Sequence, residues 1–346
     1  MPTIKKPNQH FDATLYTGNG TYPRSLTNTA GFKPDLVWVK ARSIDYIHVV
    51  YDSVRGTGTT KSLSTQATDA EGSFSIYTNL SAFTSNGFTV DTTSSTNIMN
   101  NNATTFVAWQ WKAGGASTVN TSGTISSNVS VNTTAGFSVV TYTGNGSAGA
   151  TIGHSLGVAP KWVIVKNRGS SVDDWLHYHT SLGATKSIAF DTNAAVTSST
   201  RWNNTTPSST LITLGTSAGV NASSNTYVAY CFAEVEGYSK FGSYTGNGST
   251  DGPFLYTGFR PKFVMIKHTN VGGNNWRLVD TSRLGYNADN YPLFPSLADA
   301  ESATVVCDLL SNGIKFRSTA QGVNGSSDSY IYMAFAEAPF KYSNAR

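Results

Sequence analysis

The sequence is poor in cysteine, in charge and in helical periodicity, and each shortage excludes something. It has two cysteines in 346 residues, Cys231 and Cys307, each inside an apolar strand-like stretch. A disulfide framework and a four-cysteine zinc site are therefore excluded, and both thiols read as small buried hydrophobes. Charged residues make up 13% of the chain, against about 25% in ordinary soluble domains. The net charge of +4 is spread along the chain with no basic run beyond Lys5-Lys6, so the electrostatic footprint of a nucleic-acid binder is missing. No apolar stretch approaches the roughly 20 residues that span a bilayer, and Met1 to His10 lack the apolar centre of a signal peptide. The expectation is a protein without membrane insertion, made without a secretion signal. Long 3.6-residue apolar patterns are missing as well, which leaves period two and an all-β reading.

What is abundant supports that reading. Seventeen Tyr, 17 Phe and 7 Trp rule out a disordered chain, and 32 Gly among many Ser, Thr and Asn indicate short strands joined by turns. The length prior of about 2.3 domains gives way to internal repetition. Tyr-Thr-Gly-Asn-Gly occurs at Tyr16–Gly20, Tyr142–Gly146 and Tyr244–Gly248. A proline follows 18, 18 and 17 residues after each Tyr and opens an apolar strand ending in Lys: Pro34 to Lys40, Pro160 to Lys166 and Pro261 to Lys267. Each copy closes on a longer strand, beginning Phe106-Val-Ala-Trp, Tyr227-Val-Ala-Tyr and Tyr330-Ile-Tyr-Met. In these strands bulky residues alternate with small ones, so both faces are expected to be covered. Asp69-Ala-Glu71 recurs as Asp299-Ala-Glu301, while the middle copy has diverged there. The expected layout is an N-terminal segment 1–10, a first unit 11–115, a linker or added edge strand 116–136, a second unit 137–240 and a third unit 241–346. Each unit of about 100 residues suits a β-sandwich or jelly roll of its own.

Several groups have the residue types of a site. Gly153-His-Ser155-Leu-Gly157 matches the nucleophile-elbow pattern, but that motif works on a strand-to-helix turn and here a strand follows. His177 and His179 share one face of a strand, a spacing a metal could use, with no third ligand evident. Glu234 and Glu236 are spaced like the carboxylates of a glycosidase cleft, yet only Glu234 recurs, as Glu337. An aromatic in a polar setting follows the Lys-ended strand of each unit, Tyr46, Trp175 or Trp276. With His177, His179 and Arg277 beside them, these rings form the candidate ligand-binding set, because aromatic faces among amides and carboxylates hold sugars. The competing reading is that each ring is one more core residue. Lys40, Lys166 and Lys267 are candidate binding groups or simply strand-end lysines reaching for solvent. No catalytic residue, metal or cofactor is expected.

The strings Gly31-Phe-Lys-Pro-Asp-Leu-Val-Trp-Val-Lys-Ala-Arg-Ser43, Asp52-Ser-Val-Arg-Gly56 and Ala108-Trp-Gln-Trp-Lys112, together with the repeated pentapeptide, resemble a family of repeated modules in tailed bacteriophages, especially marine cyanophages. The resemblance covers nearly the whole chain; the second copy departs from it, with Val158 in place of Phe and no counterpart of Asp52–Gly56. It implies a non-enzymatic virion structural protein with a concanavalin-A-like sandwich fold, made in the host cytoplasm and resident on the particle surface. Its implied partners are other virion proteins and a host-surface glycan, as a tail fibre or tail appendage. Capsid decoration is the alternative, and a polysaccharide depolymerase ranks last. A homotrimer is expected by analogy with fibres; an internal pseudo-trimer of the three units is the other possibility.

Overall fold

A computed structural model of the chain describes residues 4, 6–284, 287 and 291–337. The first and last residues of the expected layout, including 338–346, lie outside the described residues. The protein is mostly β, with several antiparallel sheets. One strand order occurs three times. In the first unit Phe11–Thr17, Thr105–Trp111, Leu36–Ala41 and Val49–Asp52 are neighbours in that order. Phe137–Thr143, Thr226–Phe232, Trp162–Asn167 and Leu176–His179 follow the same order in the second, as do Ser239–Thr245, Ser329–Ala336, Pro261–His268 and Arg277–Asp280 in the third.

The alternation of the closing strands assigns one face to each of two cores. In the first unit Phe106 and Ala108 join Val37, Val39 and Tyr51 and pack on Leu26, Leu80, Phe88 and Val90 of a three-stranded sheet. The second and third units each pair their large sheet with a small one in the same way. The opposite faces do not meet solvent. Trp109 and Trp111, Phe232 and Tyr230, and Phe335 and Met333 converge in a single cluster with Phe11, Phe137, Trp162, Phe263 and Trp276. Three large sheets thus share one central aromatic core. An apolar cavity of about 30 Å3 lies there between residues of all three units, among them Trp38, Trp111, Phe232, Phe263 and Met333. Its apolar lining offers a water no polar partner, so it stays dry.

The segment 116–136 supplies an added edge strand: Ser127–Asn132 pairs with Phe137–Thr143 and carries Thr118–Asn120 on its outer side. With Lys186–Ala189 and Thr197–Ser198 on the far edge, the second unit's large sheet reaches eight strands.

The pentapeptide is a structural corner. The hydroxyls of Tyr16, Tyr142 and Tyr244 donate to the carbonyls of Met99, Val220 and Val323, all at 2.7 Å. The next residue in each case, Asn100, Asn221 or Asn324, is fully buried. Its Oδ1 accepts from the backbone N–H of the pentapeptide's Asn, its fourth residue, at 2.8–3.1 Å, and its Nδ2 donates to a carbonyl just beyond, Thr21, Ser147 or Ser249. The first glycine is required by space, since a Cβ on Gly18 would sit 1.9 Å from the Asn101 carbonyl oxygen. The last is required by backbone, with φ of +65° to +73° at Gly20, Gly146 and Gly248.

Because the central core belongs to no unit alone, the ring should unfold as one body. Calorimetry is expected to show one transition with equal calorimetric and van't Hoff enthalpies. Trp111→Ala should lower that whole transition by about 3–5 kcal/mol, and separate transitions for the units would contradict the shared core.

Candidate functional site

The chemistry-bearing residues collect at the three seams between units. Strand register makes His48, Trp175 and Trp276 equivalent, each preceding the strand that pairs with the Lys-ended strand. Each delivers a ring N–H to a main-chain carbonyl of the neighbouring unit: Trp175 Nε1 to Ser64 at 2.7 Å, Trp276 Nε1 to Ala189 at 2.7 Å and His48 Nε2 to Phe294 at 3.0 Å. His48 can donate there because its Nδ1 accepts from Trp38 Nε1 at 2.9 Å, which leaves the proton on Nε2. The three donors run in one rotational sense, third unit onto second, second onto first, first onto third. They close a ring with internal pseudo-threefold symmetry.

A second layer of contacts surrounds each plug. Glu71 N–H donates to the Arg168 carbonyl, Glu301 N–H to Arg42 and Val196 N–H to Thr269, at 2.8–2.9 Å. At two seams this backbone bond carries a charge network. Arg55 pairs with Asp52 at 2.5 Å, Asp52 accepts from Tyr230 of the second unit at 2.8 Å, and Glu71 pairs with Arg168 at 2.5 Å. At the other, Arg283 pairs with Asp280 at 2.7 Å and Glu301 at 2.9 Å, Glu301 holds Arg42 at 2.7 Å, and Asp280 accepts from Trp109 at 3.0 Å. Asp52 and Asp280 are buried, and their arginines keep them matched. The second unit has His179 in the aspartate place. Its Nδ1 caps Ser181 N–H at 3.1 Å as Asp52 caps Val54 and Asp280 caps Ser282. Leu182 then stands where the arginines stand, Val196 replaces the glutamate and Thr269 replaces the partner arginine.

The candidate ligand-binding set is corrected on four of its six members. Trp175 and Trp276 are 1% and 0% exposed, and His177 and His179 are fully buried, so none can stack on or bond to an outside sugar. The pairing of Tyr46 with the two tryptophans is also corrected: their equivalent is His48, and the counterparts of His177 are Val50 and Leu278. Tyr46 is half-buried against the first unit's own core. Arg277 is half-buried with its guanidinium over the Phe294 ring at 5.9 Å, and desolvation holds its pKa below the ordinary value. His177 accepts from Trp162 Nε1 at 2.9 Å and packs on Phe190 and Trp276. Among the described residues no three His, Cys, Asp or Glu side chains gather as a metal site.

The lysines neither bind nor reach solvent. Lys40, Lys166 and Lys267 are 0% exposed, and their ammonium groups donate to the carbonyls of Ala41, of Thr68 and Asp173, and of Asn274. Desolvation lowers each to about 8. Ser155 takes its hydrogen bond from Asn120 Nδ2 at 2.8 Å, and Glu234 pairs with Lys240 at 2.9 Å while Glu236 is exposed. Neither arrangement aligns a nucleophile with a base. Both cysteines are buried free thiols.

Exposed aromatics do occur, on a strand that the candidate set passed over. Phe254 and Tyr256 are 44% and 67% exposed on the outward face of Phe254–Tyr256, with Leu255 turned inward. Their aromatic-apolar-aromatic alternation was the available signal.

Together these observations describe a mostly β protein with several antiparallel sheets, in which one strand order occurs three times and the three copies meet through equivalent seams. The chain belongs to the family described as a domain of unknown function, DUF7483, whose model matches residues 6–339 and so runs through all three units. No curated protein matches the chain.

Two predictions follow from the seam chemistry. Arg283→Leu strands a buried carboxylate and should cost about 3–5 kcal/mol. Adding Asp280→His, the combination already present as His179 and Leu182, should return part of that loss in chemical denaturation. The second concerns pH. All six histidines are held below the ordinary imidazole value, chiefly by desolvation, with His179 at about 3. Below about pH 6.5 the unfolded chain takes up protons that the folded chain refuses, so stability falls as pH drops. Asp191, raised to about 7 by desolvation and then by Asp174, opposes this as a single group. The urea midpoint should therefore decrease from pH 7.5 to 5, and His177→Leu should flatten the slope; a flat or rising wild-type profile would refute the assignment.

Proposed function

We propose that this chain is a non-enzymatic structural protein of a tailed-bacteriophage particle, built from three tandem β-sandwiches of the concanavalin-like type and working without a cofactor. The observation that carries the architectural role is the ring itself, in which the conspicuous tryptophan, histidine, lysine and arginine side chains are spent on internal contacts, several of them across seams. Their use as struts supports a rigid body at a particle surface over a catalyst. The motif resemblance supports the bacteriophage context, with other virion proteins as partners and assembly in the host cytoplasm.

Within that role the first reading is a tail fibre or tail appendage that meets the host surface. The exposed pair Phe254 and Tyr256 favours it as a contact patch to which a glycan can stack. Capsid decoration is the second reading, favoured by the pseudo-threefold ring, which offers three similar faces to a surface lattice without needing further copies to close.

Immunogold electron microscopy with antibody against this chain tests the proposal on particles of the phage that encodes it. Label on the tail supports the first reading, label on the head the second, and unlabelled intact particles overturn both. For a tail location, Phe254→Ala with Tyr256→Ala should reduce adsorption to host cells at least tenfold while leaving the melting temperature within about 2 °C, as expected of surface positions.

A further inference from the structure

The three seams are equivalent in backbone and unequal in content, and the inequality leaves a space. Between the second and third units lies a cleft of about 530 Å3. Its lining includes Leu182, Val196 and Thr269, the three residues that stand where the other seams carry an arginine, a glutamate and a second arginine. At those seams the long charged side chains occupy the gap and bond across it. Here three shorter uncharged residues leave it open.

We infer that this cleft is a binding site for a short saccharide. The size is that of ordinary small-ligand sites, which run from about 300 to 1,000 Å3. The chemistry of the wall is distinctive. Ser181, Ser198, Ser243, Thr245 and Ser329 present hydroxyls that make no hydrogen bond among the described residues. A hydroxyl both donates and accepts, as a sugar hydroxyl does, so such a wall can pair with a polyol in several orientations. Asn270 adds an amide, and Leu182, Val196 and Ile331 supply an apolar floor for the C–H face of a sugar ring. Lys186 is the one charged residue on the lining, which admits a single acidic group but does not demand one. The hydroxyls come from separate segments on two units, an arrangement that suits a branched polyol better than an extended peptide. The inference does not depend on where in a particle the protein sits.

The test is saturation-transfer NMR on the full chain with galactose, mannose, N-acetylglucosamine, N-acetylneuraminic acid, maltotetraose and chitotetraose as probes, beside a polar tetrapeptide as control. At least one sugar should receive saturation. Val196→Glu with Thr269→Arg rebuilds the charge pair of the other seams across the cleft and should abolish that signal while keeping the fold. Ser243→Leu, at an exposed position, should weaken binding at least tenfold if the double variant misfolds. Three outcomes overturn the inference: no probe sugar responding with folded wild-type protein, a sugar signal that persists in both variants, or saturation of the tetrapeptide alone.

Discussion

The structure depends on a division of labour across the closing strands. Each sends one face towards a smaller antiparallel sheet and the other, heavier face into a core shared by all three units. Burying a large aromatic side chain is worth about 1.5–3 kcal/mol before packing is counted, and the central cluster gathers such side chains from every unit. None of the large sheets could leave that face exposed without presenting a continuous apolar patch to water. The ring is therefore the smallest arrangement in which these sequences hide their hydrophobic surface, and a single family model running from 6 to 339 agrees with that.

Around that core, polar groups are arranged so that burial is matched by partners. The two Trp plugs bond to the Ser64 and Ala189 carbonyls of a neighbouring unit, and the His48 plug adds a second donor to the Phe294 carbonyl, which also accepts from Leu297 N–H. The Asp–Arg–Glu networks place charges at two seams with their counter-charges. Repacking also compensates between copies: Ser239 stands at the position of Phe11 and Phe137, and two residues on Phe241 stands where the others have Ala13 and Val139. Volume lost at one level of the core is restored at the next.

Much of the fold was legible in the sequence because it rests on period-two alternation and on a repeat. The closing strands, the Lys-ended strands and the covered two-faced sheets follow from patterns such as Val107, Trp109 and Trp111 against Ala108. The corner motif was visible as Tyr-Thr-Gly-Asn-Gly, although its clamp, Asn100, Asn221 and Asn324, was hidden because a lone Asn before a strand carries no pattern. The site was less legible for a physical reason. An aromatic flanked by polar residues looks the same whether its polar neighbours face a sugar or a neighbouring unit, so Trp175 and Trp276 fitted both descriptions. Only the register across strands, which depends on loops of unequal length after Lys40, Lys166 and Lys267, shows that His48 and not Tyr46 is their equivalent. The Asp-Ala-Glu recurrence was likewise visible without its use, since one arginine partner of each glutamate, Arg168 for Glu71 and Arg42 for Glu301, lies in a different unit.

The seam joining the third unit to the first brings together residues 259 positions apart, Arg42 and Glu301, and no covalent link spans it. During synthesis the first unit emerges early with its Trp109 face and its Arg42 waiting for Asp280 and Glu301. A chain emerging at about 5–20 residues per second leaves that face uncovered for tens of seconds. The ring thus has a built-in order of completion: the apolar face of the first unit stays open until the last sheet closes over it.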